Sequence, residues 1–442
     1  MPQATYHFPV GFLWGTATAA HQVEGNNTNN NWYAWENTPG RIINGDRSGR
    51  ACDWWGGRWR DDFDRAKEGG QNAHRLSIEW SRVQPAPDRW NEDALDVYRE
   101  ILRGLYHRGM TPVVTLHHFT DPIWLSEQGG WENDQTPALF EAFVRRAVEA
   151  LREYCTTWVP INEPNVYVYG GYLGGGFPPG KKDMGAAGHV MANMLRGHGR
   201  AYRAIKSIQR EARVGTAVNV RYMRAARTWN PLEKGIAKSL AYMFNASFLD
   251  GLTDGRLRFM TRTTRVPEAT GTQDFVGLNY YTGDLVAFNP LNASEMFSKR
   301  YYPKDAPQST TGMIAHWPEG LFEMIKWSRR YKLPILITEN GVEDDKDNLR
   351  PRYIVEHLHQ IWRAVNFNWP VKGYFHWSLV DNFEWERGWT QRFGLWGLDN
   401  ETQTRIRRPS VDLYAGICKA NGISSELVAQ YAPDATARLF PG

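Results

Sequence analysis

The sequence predicts an α/β fold, a single (β/α)8 barrel (TIM barrel) with its functional groups at the C-terminal ends of the strands. Three observations predict it. Eight short extended apolar runs recur along the 442 residues, helix-patterned stretches lie between them, and hydrogen-bonding side chains gather where the runs end. Alternating strands and helices make parallel βαβ units, and one barrel with insertions accommodates this length. A doubly wound sheet is the alternative, but no Gly-rich phosphate turn follows the first run. No linker, repeat or low-complexity tract divides the chain, so residues 1–442 read as one domain.

The runs are Phe12 to Thr18, Ala73 to Trp80, Pro112 to His118, Thr156 to Asn162, Arg213 to Asn219, Asp274 to Tyr281, Ile335 to Thr338 and Val371 to Trp377. Between the second and third, Ala94, Leu95, Tyr98, Ile101, Leu102 and Leu105 recur at helical spacing on one face. Pro137 to Tyr154 and Tyr353 to Val365 repeat that pattern.

Composition excludes several classes. The 52 basic residues nearly balance 48 acidic ones and form no long block, so no nucleic-acid partner is expected. Arg405, Arg407 and Arg408 read as a solvated surface cluster. Cys52, Cys155 and Cys418 are too few and scattered for a disulfide framework or a CxxC metal site. The N-terminus lacks a basic segment followed by an apolar one, and no stretch of about 18 apolar residues spans a bilayer. The expectation is a cytoplasmic protein with no membrane association. Asn26-Asn-Thr28 and Asn292-Ala-Ser294 match the glycosylation sequon by chance on that reading.

The strand ends carry the chemistry. Trp158-Val-Pro-Ile-Asn162-Glu163-Pro164 and Ile337-Thr-Glu339-Asn340-Gly341 each place a glutamate at the tip of a run, followed directly or one residue later by a strand breaker. In a barrel both carboxylates face the same end, and two such groups cleave a glycosidic bond when one acts as acid and the other as nucleophile. Gln22 follows the first run, Arg75 lies within the second, His118 ends the third, Asn162 stands beside Glu163 at the end of the fourth, Asn279 and Tyr281 end the sixth and Trp377 the eighth, and Asp381, Asn382, Glu384 and Trp385 follow. Amides, imidazoles and carboxylates offer the donors and acceptors that sugar hydroxyls need, and aromatic faces suit the CH face of a sugar ring. His117 and His118 adjoin on a strand and point to opposite sides, so only one faces the pocket.

In these segments the chain resembles glycoside hydrolase family 1, the β-glucosidase and β-galactosidase group. The segments are Phe12 to Gly25, Arg75-Leu-Ser-Ile-Glu-Trp80, Thr115-Leu-His-His118, Asn162-Glu-Pro164, Gly277-Leu-Asn-Tyr-Tyr281, Thr338-Glu-Asn-Gly341 and Trp377 to Trp385, in the family's order across nearly the whole chain. The resemblance implies a retaining, exo-acting β-glycosidase that releases terminal glucose, galactose or fucose from small β-glycosides or short oligosaccharides. It implies Glu163 as general acid/base and Glu339 as nucleophile, with Arg75 and Tyr281 contacting the nucleophile. Gln22, His118, Asn162, Glu384 and Trp385 match the residues that hold the sugar, and Trp377 the floor beneath it. Glu384 with Trp385 resembles the neutral-sugar pocket rather than the phospho-sugar one. Neither cofactor nor metal is implied, because carboxylates supply both attack and proton transfer. Retention sets an expected carboxyl separation of about 5–5.5 Å.

Other readings stand beside this one. A metal-dependent barrel hydrolase would use His21, His74, His118 and His376, but no HxH or HExxH spacing is present. A transglycosylase would share the intermediate, and a sugar-binding pseudoenzyme would keep the pocket without turnover. Two departures bear on specificity. Phe119 stands where the family usually has Trp after the third-strand histidine, and Ile314 where many relatives carry a Trp beneath the leaving group.

Overall fold

The computed structural model describes residues 4–260, 262–292 and 295–441; Ala293 and Ser294 of the second sequon lie outside them. The eight expected runs are all strands of one sheet. They are β1 (Leu13–Ala17), β2 (Ala73–Ser77), β3 (Thr111–His117), β4 (Thr157–Ile161), β5 (Arg213–Val214, resuming at Val218–Ala225), β6 (Val276–Phe288), β7 (Ile335–Asn340) and β8 (Val371–Trp377). Each pairs in parallel with the next, and β8 returns to β1 through Gly373↔Leu13 to Trp377↔Ala17, which closes the barrel.

Helices pack outside. They include α1 (Trp59–Glu68), α2 (Glu92–His107), α3 (Thr136–Leu151), α4 (Met184–Ile208), α5 (Pro231–Ala241), α6 (Pro318–Ser328), α7 (Arg350–Asn366) and α8 (Pro409–Ala420). In α2 the six residues expected on one face are the ones buried, with Gly104 where Trp59 approaches closely. Asn91 caps this helix by accepting from the Ala94 N–H. Each fully buried Leu or Ile on that face contributes roughly 1.5–3 kcal/mol.

The basic cluster is not the solvated surface expected. The Arg405 side chain is buried on Asp62 at 2.7 Å, and Arg408 forks onto both oxygens of Asp381 at 2.8 and 2.9 Å. Only Arg407 of the three matches the expectation, with an exposed side chain paired to Asp412. The reason is distance in sequence: both carboxylates come from segments that composition does not bring beside the arginines. Among the described residues no helix is long and apolar enough to cross a membrane.

Candidate active site

Local geometry at the end of β4 puts Glu163 at the barrel mouth. The Asn162 N–H donates to the His117 carbonyl and the Glu163 N–H to that of Ala217, so β3 and the link between the two parts of β5 fix the strand tip from both sides. Pro164 then starts a short helix (Pro164–Val168), where its missing N–H has no cost. Glu163 makes the turn with φ 43° and ψ 58°. Such left-handed backbone costs a non-glycine residue roughly 1–3 kcal/mol. Phe119 (φ 70°) and Trp385 (φ 50°) line the same cavity in that conformation.

The β7 tip is locked differently. Asn340 donates to the Tyr280 carbonyl (2.7 Å) and the Tyr353 hydroxyl (3.0 Å), and accepts from the Tyr374 hydroxyl (3.1 Å). The register shifts between Leu278 and Asn279, so Asn279 sits opposite Glu339. At Gly341 a Cβ would lie 2.0 Å from the Trp377 carbonyl oxygen, which admits only glycine there.

One cavity of about 210 Å³ is lined by Glu163, Glu339, Tyr281, His118, Trp377, Glu384 and Trp385. At this size it is smaller than ordinary drug-sized pockets and suits a single ring. The other three expected residues lie one layer behind, each bonded to a group in the wall. Arg75 donates to Glu339 Oε1 at 2.5 Å and to Asn162 Oδ1 at 2.6 Å. Asn162 Nδ2 meets His118 Nε2 at 3.1 Å, and Gln22 donates to Glu384 Oε2 at 3.1 Å. Gln22 Oε1 and His118 Nδ1 are buried with no protein partner.

Two residues outside the expected set complete the site. Asn279 and Asn219 both donate to Glu163 Oε1, at 2.7 and 3.0 Å. Asn279 also accepts from Thr338 (2.6 Å) and donates to Asn162 (3.2 Å). Asn279 is visible in sequence as a strand end. Asn219 has the same signal, the last residue of the fifth apolar run.

The two carboxyls sit in unlike fields. Burial pushes Glu163 up to about 8, with the charge of Glu339 adding to it and the amides of Asn279 and Asn219 opposing it. Glu339 is raised by burial too, but it faces the Arg75 guanidinium and accepts a 2.6 Å bond from the Tyr281 hydroxyl, both of which favour its charge. Burial, not the neighbouring carboxylate, is therefore the leading reason Glu163 holds its proton. Burial, with Arg75 and His117 nearby, also drives the His118 pKa far below its ordinary value, so its ring is neutral.

The remaining histidines have separate partners. His117 faces away from the cavity, onto Asp121 at 2.9 Å. His74 meets Thr16 and Thr18, His376 meets Tyr374, and His21 meets Asn30. Among the described residues no group of three or more His, Cys, Asp or Glu is arranged to hold a metal ion. Glu24 is tied to Arg82 and Tyr98, and Glu79 to Ser81 and Thr120, so both serve the scaffold. Ile314 lines the cavity, whereas Trp317 packs on Tyr222 and Arg224 and does not replace the missing indole.

A parallel barrel with paired carboxyls at its C-terminal mouth, one protonated and one ion-paired, defines a glycoside hydrolase. The chain belongs to glycosyl hydrolase family 1, whose model matches residues 4–423, and is a retaining β-glycosidase. It is 31% identical to a β-galactosidase of Sulfolobus acidocaldarius, over 95% of this chain and 96% of that one. Its structure is similar to a β-glycosidase from Pyrococcus horikoshii (TM-score 0.91, 35% identity, 97% of this chain and 98% of that one). It is also similar to a β-glucosidase from Thermotoga maritima in complex with glucoimidazole (TM-score 0.89, 33% identity, 95% of this chain and 100% of that one).

Proposed function

We propose that Glu163 is the general acid/base and Glu339 the nucleophile of an exo-acting β-glycosidase for terminal glucose, galactose or fucose. The observation that carries this is the asymmetry of their partners. Arg75 and Tyr281 hold one oxygen each of Glu339, while Glu163 receives only neutral amides. Arg75 is 1% exposed, and a buried cation demands a partner; that partner is the ionised Glu339.

In the first step Glu339 attacks the anomeric carbon while Glu163 protonates the leaving oxygen. Both amides donate to Oε1 of Glu163, so its proton sits on Oε2. Once Glu339 is esterified its negative charge is gone and one cause of the raised Glu163 pKa goes with it. Glu163 then accepts a proton from water, which attacks the same face and restores the original anomer. The carboxyl separation belonging to this sequence is about 5–5.5 Å.

Gln22, His118, Asn162 and Glu384 hold the sugar hydroxyls, with Trp385 beside them and Trp377 as the floor. Support comes from the cavity wall for His118, Glu384, Trp385 and Trp377, from the bonds that tie Gln22 to Glu384 and Asn162 to His118 behind it, and from the unpaired Gln22 Oε1 and His118 Nδ1. The substrates are small β-glycosides or short oligosaccharides. No step calls for a cofactor or metal.

The same reading treats residues 1–442 as one glycosidase unit, supported by Arg438 near the C-terminus, which pairs with Glu356 of α7 at 3.0 Å and with Glu319 of α6. It sets the protein in the cytoplasm, supported by three buried unpaired cysteines.

The test is Glu163→Ala on glycosides of graded leaving groups. Loss of the acid slows alkyl and sugar leaving groups by about 10²–10⁴ and activated aryl ones far less. Equal losses across the series contradict the assignment.

A further inference from the structure

The part of the cavity lining that the proposed sugar-holding residues do not supply differs in character from them. Val166 is three residues beyond Glu163, on the short helix that starts at Pro164, and Asn219 and Arg221 reach the same cavity from β5. A group protonated by Glu163 leaves through this region. Its other walls are Phe177, Met313 and Ile314. The polar side chains here each donate to another group of the protein. Arg221 forks onto Asp284 at 2.7 and 3.0 Å, Asn219 donates to Glu163, and Gln391 donates to the Thr311 hydroxyl at 3.0 Å.

Met313 and Ile314 are held there by a braced hairpin. Gln308 bridges Ala315, Ser309 exchanges two hydrogen bonds with Ile314, and Thr282 exchanges two with Ala315. Glu343, fully buried four residues beyond the nucleophile, anchors the turn. One of its oxygens accepts from the Ser309 hydroxyl at 2.6 Å and from both the N–H (3.1 Å) and the hydroxyl of Thr311. The hairpin is thereby fastened to the strand that carries Tyr281 and to the segment just beyond Glu339, and Met313 and Ile314 stand in the cavity wall.

We propose that this slot selects β-glycosides of apolar alcohols over those whose leaving group is a second sugar, and that Glu343 is the positioning residue that shapes it. The proposal rests on the assignment of Glu163 as acid. A sugar in this position would set hydroxyls against Phe177, Met313 and Ile314, which offer no hydrogen-bond partner, whereas an alkyl or aryl group would pack on them. Sites that leave buried polar groups unpaired discriminate more strongly than sites that merely lack a methylene.

Octyl β-D-glucoside and cellobiose test it, because both present a glucosyl unit and differ only in what leaves. Octanol is the poorer leaving group, so chemistry alone favours cellobiose. We expect kcat/KM for the octyl glucoside to exceed that for cellobiose by about tenfold or more. Ile314→Gln, which adds an amide to the slot, narrows the ratio, and so does Glu343→Ala, which frees the hairpin. A purely structural role for Glu343 lowers both substrates together and leaves the ratio unchanged. Cellobiose turned over as well as the octyl glucoside by the wild type, or an unchanged ratio in both variants, overturns the proposal. If the 4-nitrophenyl β-D-glucoside, β-D-galactoside and β-D-fucoside all go unhydrolysed, the catalytic assignment falls with it.

Discussion

Replacing Asn219 by alanine removes one of the two amide hydrogens that Glu163 Oε1 accepts, at 3.0 Å, and leaves the Asn279 bond at 2.7 Å in place. Both bonds favour the ionised form of Glu163, whose pKa is about 8. Removing one makes ionisation harder, so the pKa rises. A hydrogen bond to a charged group contributes roughly 1.5–3 kcal/mol, and about 1.4 kcal/mol is one pH unit. Asn219 is half-buried, and water entering its place recovers part of that loss. The expected shift is therefore about half to one unit. The assay is the pH dependence of kcat/KM on an alkyl β-glycoside, whose poor leaving group needs the acid and whose basic limb reports it in the free enzyme. The basic limb should move upward by that amount. A limb that stays fixed, or moves to lower pH, refutes the view that these amides set the proton affinity of Glu163. Because the two carboxyls interact, the limb is a property of the pair, but the sign of the change is not altered by that coupling.

Two other perturbations have clear outcomes. Arg75→Lys keeps a charge but loses the fork that reaches Glu339 and Asn162 together, so kcat should fall about 10²–10³-fold while circular dichroism confirms an intact fold; a loss under tenfold contradicts the role of Arg75. Glu356 is lowered to about 2; burial opposes this, but the His316 hydrogen bond, Arg438 and Arg352 outweigh it. Its stabilising contribution is present above the ordinary carboxylate range and is lost as pH falls toward 2. Glu356→Gln should therefore lower Tm at pH 7 and lose that deficit as the pH drops below 5, and a gap independent of pH contradicts the linkage.

The barrel was legible because its signals are local. Each strand is a short apolar run, and α2 shows its buried face in the spacing of Ala94, Leu95, Tyr98, Ile101, Leu102 and Leu105. Glu163 and Glu339 were legible because a strand breaker follows each within two residues. What local sequence did not show was how distant side chains divide the work. Asn219 ends a strand like several residues that were singled out, and only the approach of β5 to β4 makes it a donor to Glu163. Burial of Arg405 and Arg408 depends on Asp62 and Asp381, brought close by packing. The dominance of burial over charge repulsion at Glu163 is likewise a property of the assembled cavity. The hairpin that presents Ile314 is bonded to Glu343 through Ser309 and Thr311, a partner that nothing near residue 314 in the sequence announces.

The central claim is that Glu339 attacks the anomeric carbon and carries the sugar. A 2-deoxy-2-fluoro-β-D-glucosyl fluoride slows breakdown of such an ester enough to isolate it. Peptide mass spectrometry after inactivation should find one fluoroglucosyl group, on Glu339, with activity lost in step with labelling and none in the Glu339→Ala variant. An adduct on Glu163, or inactivation without a covalent adduct, would contradict the account.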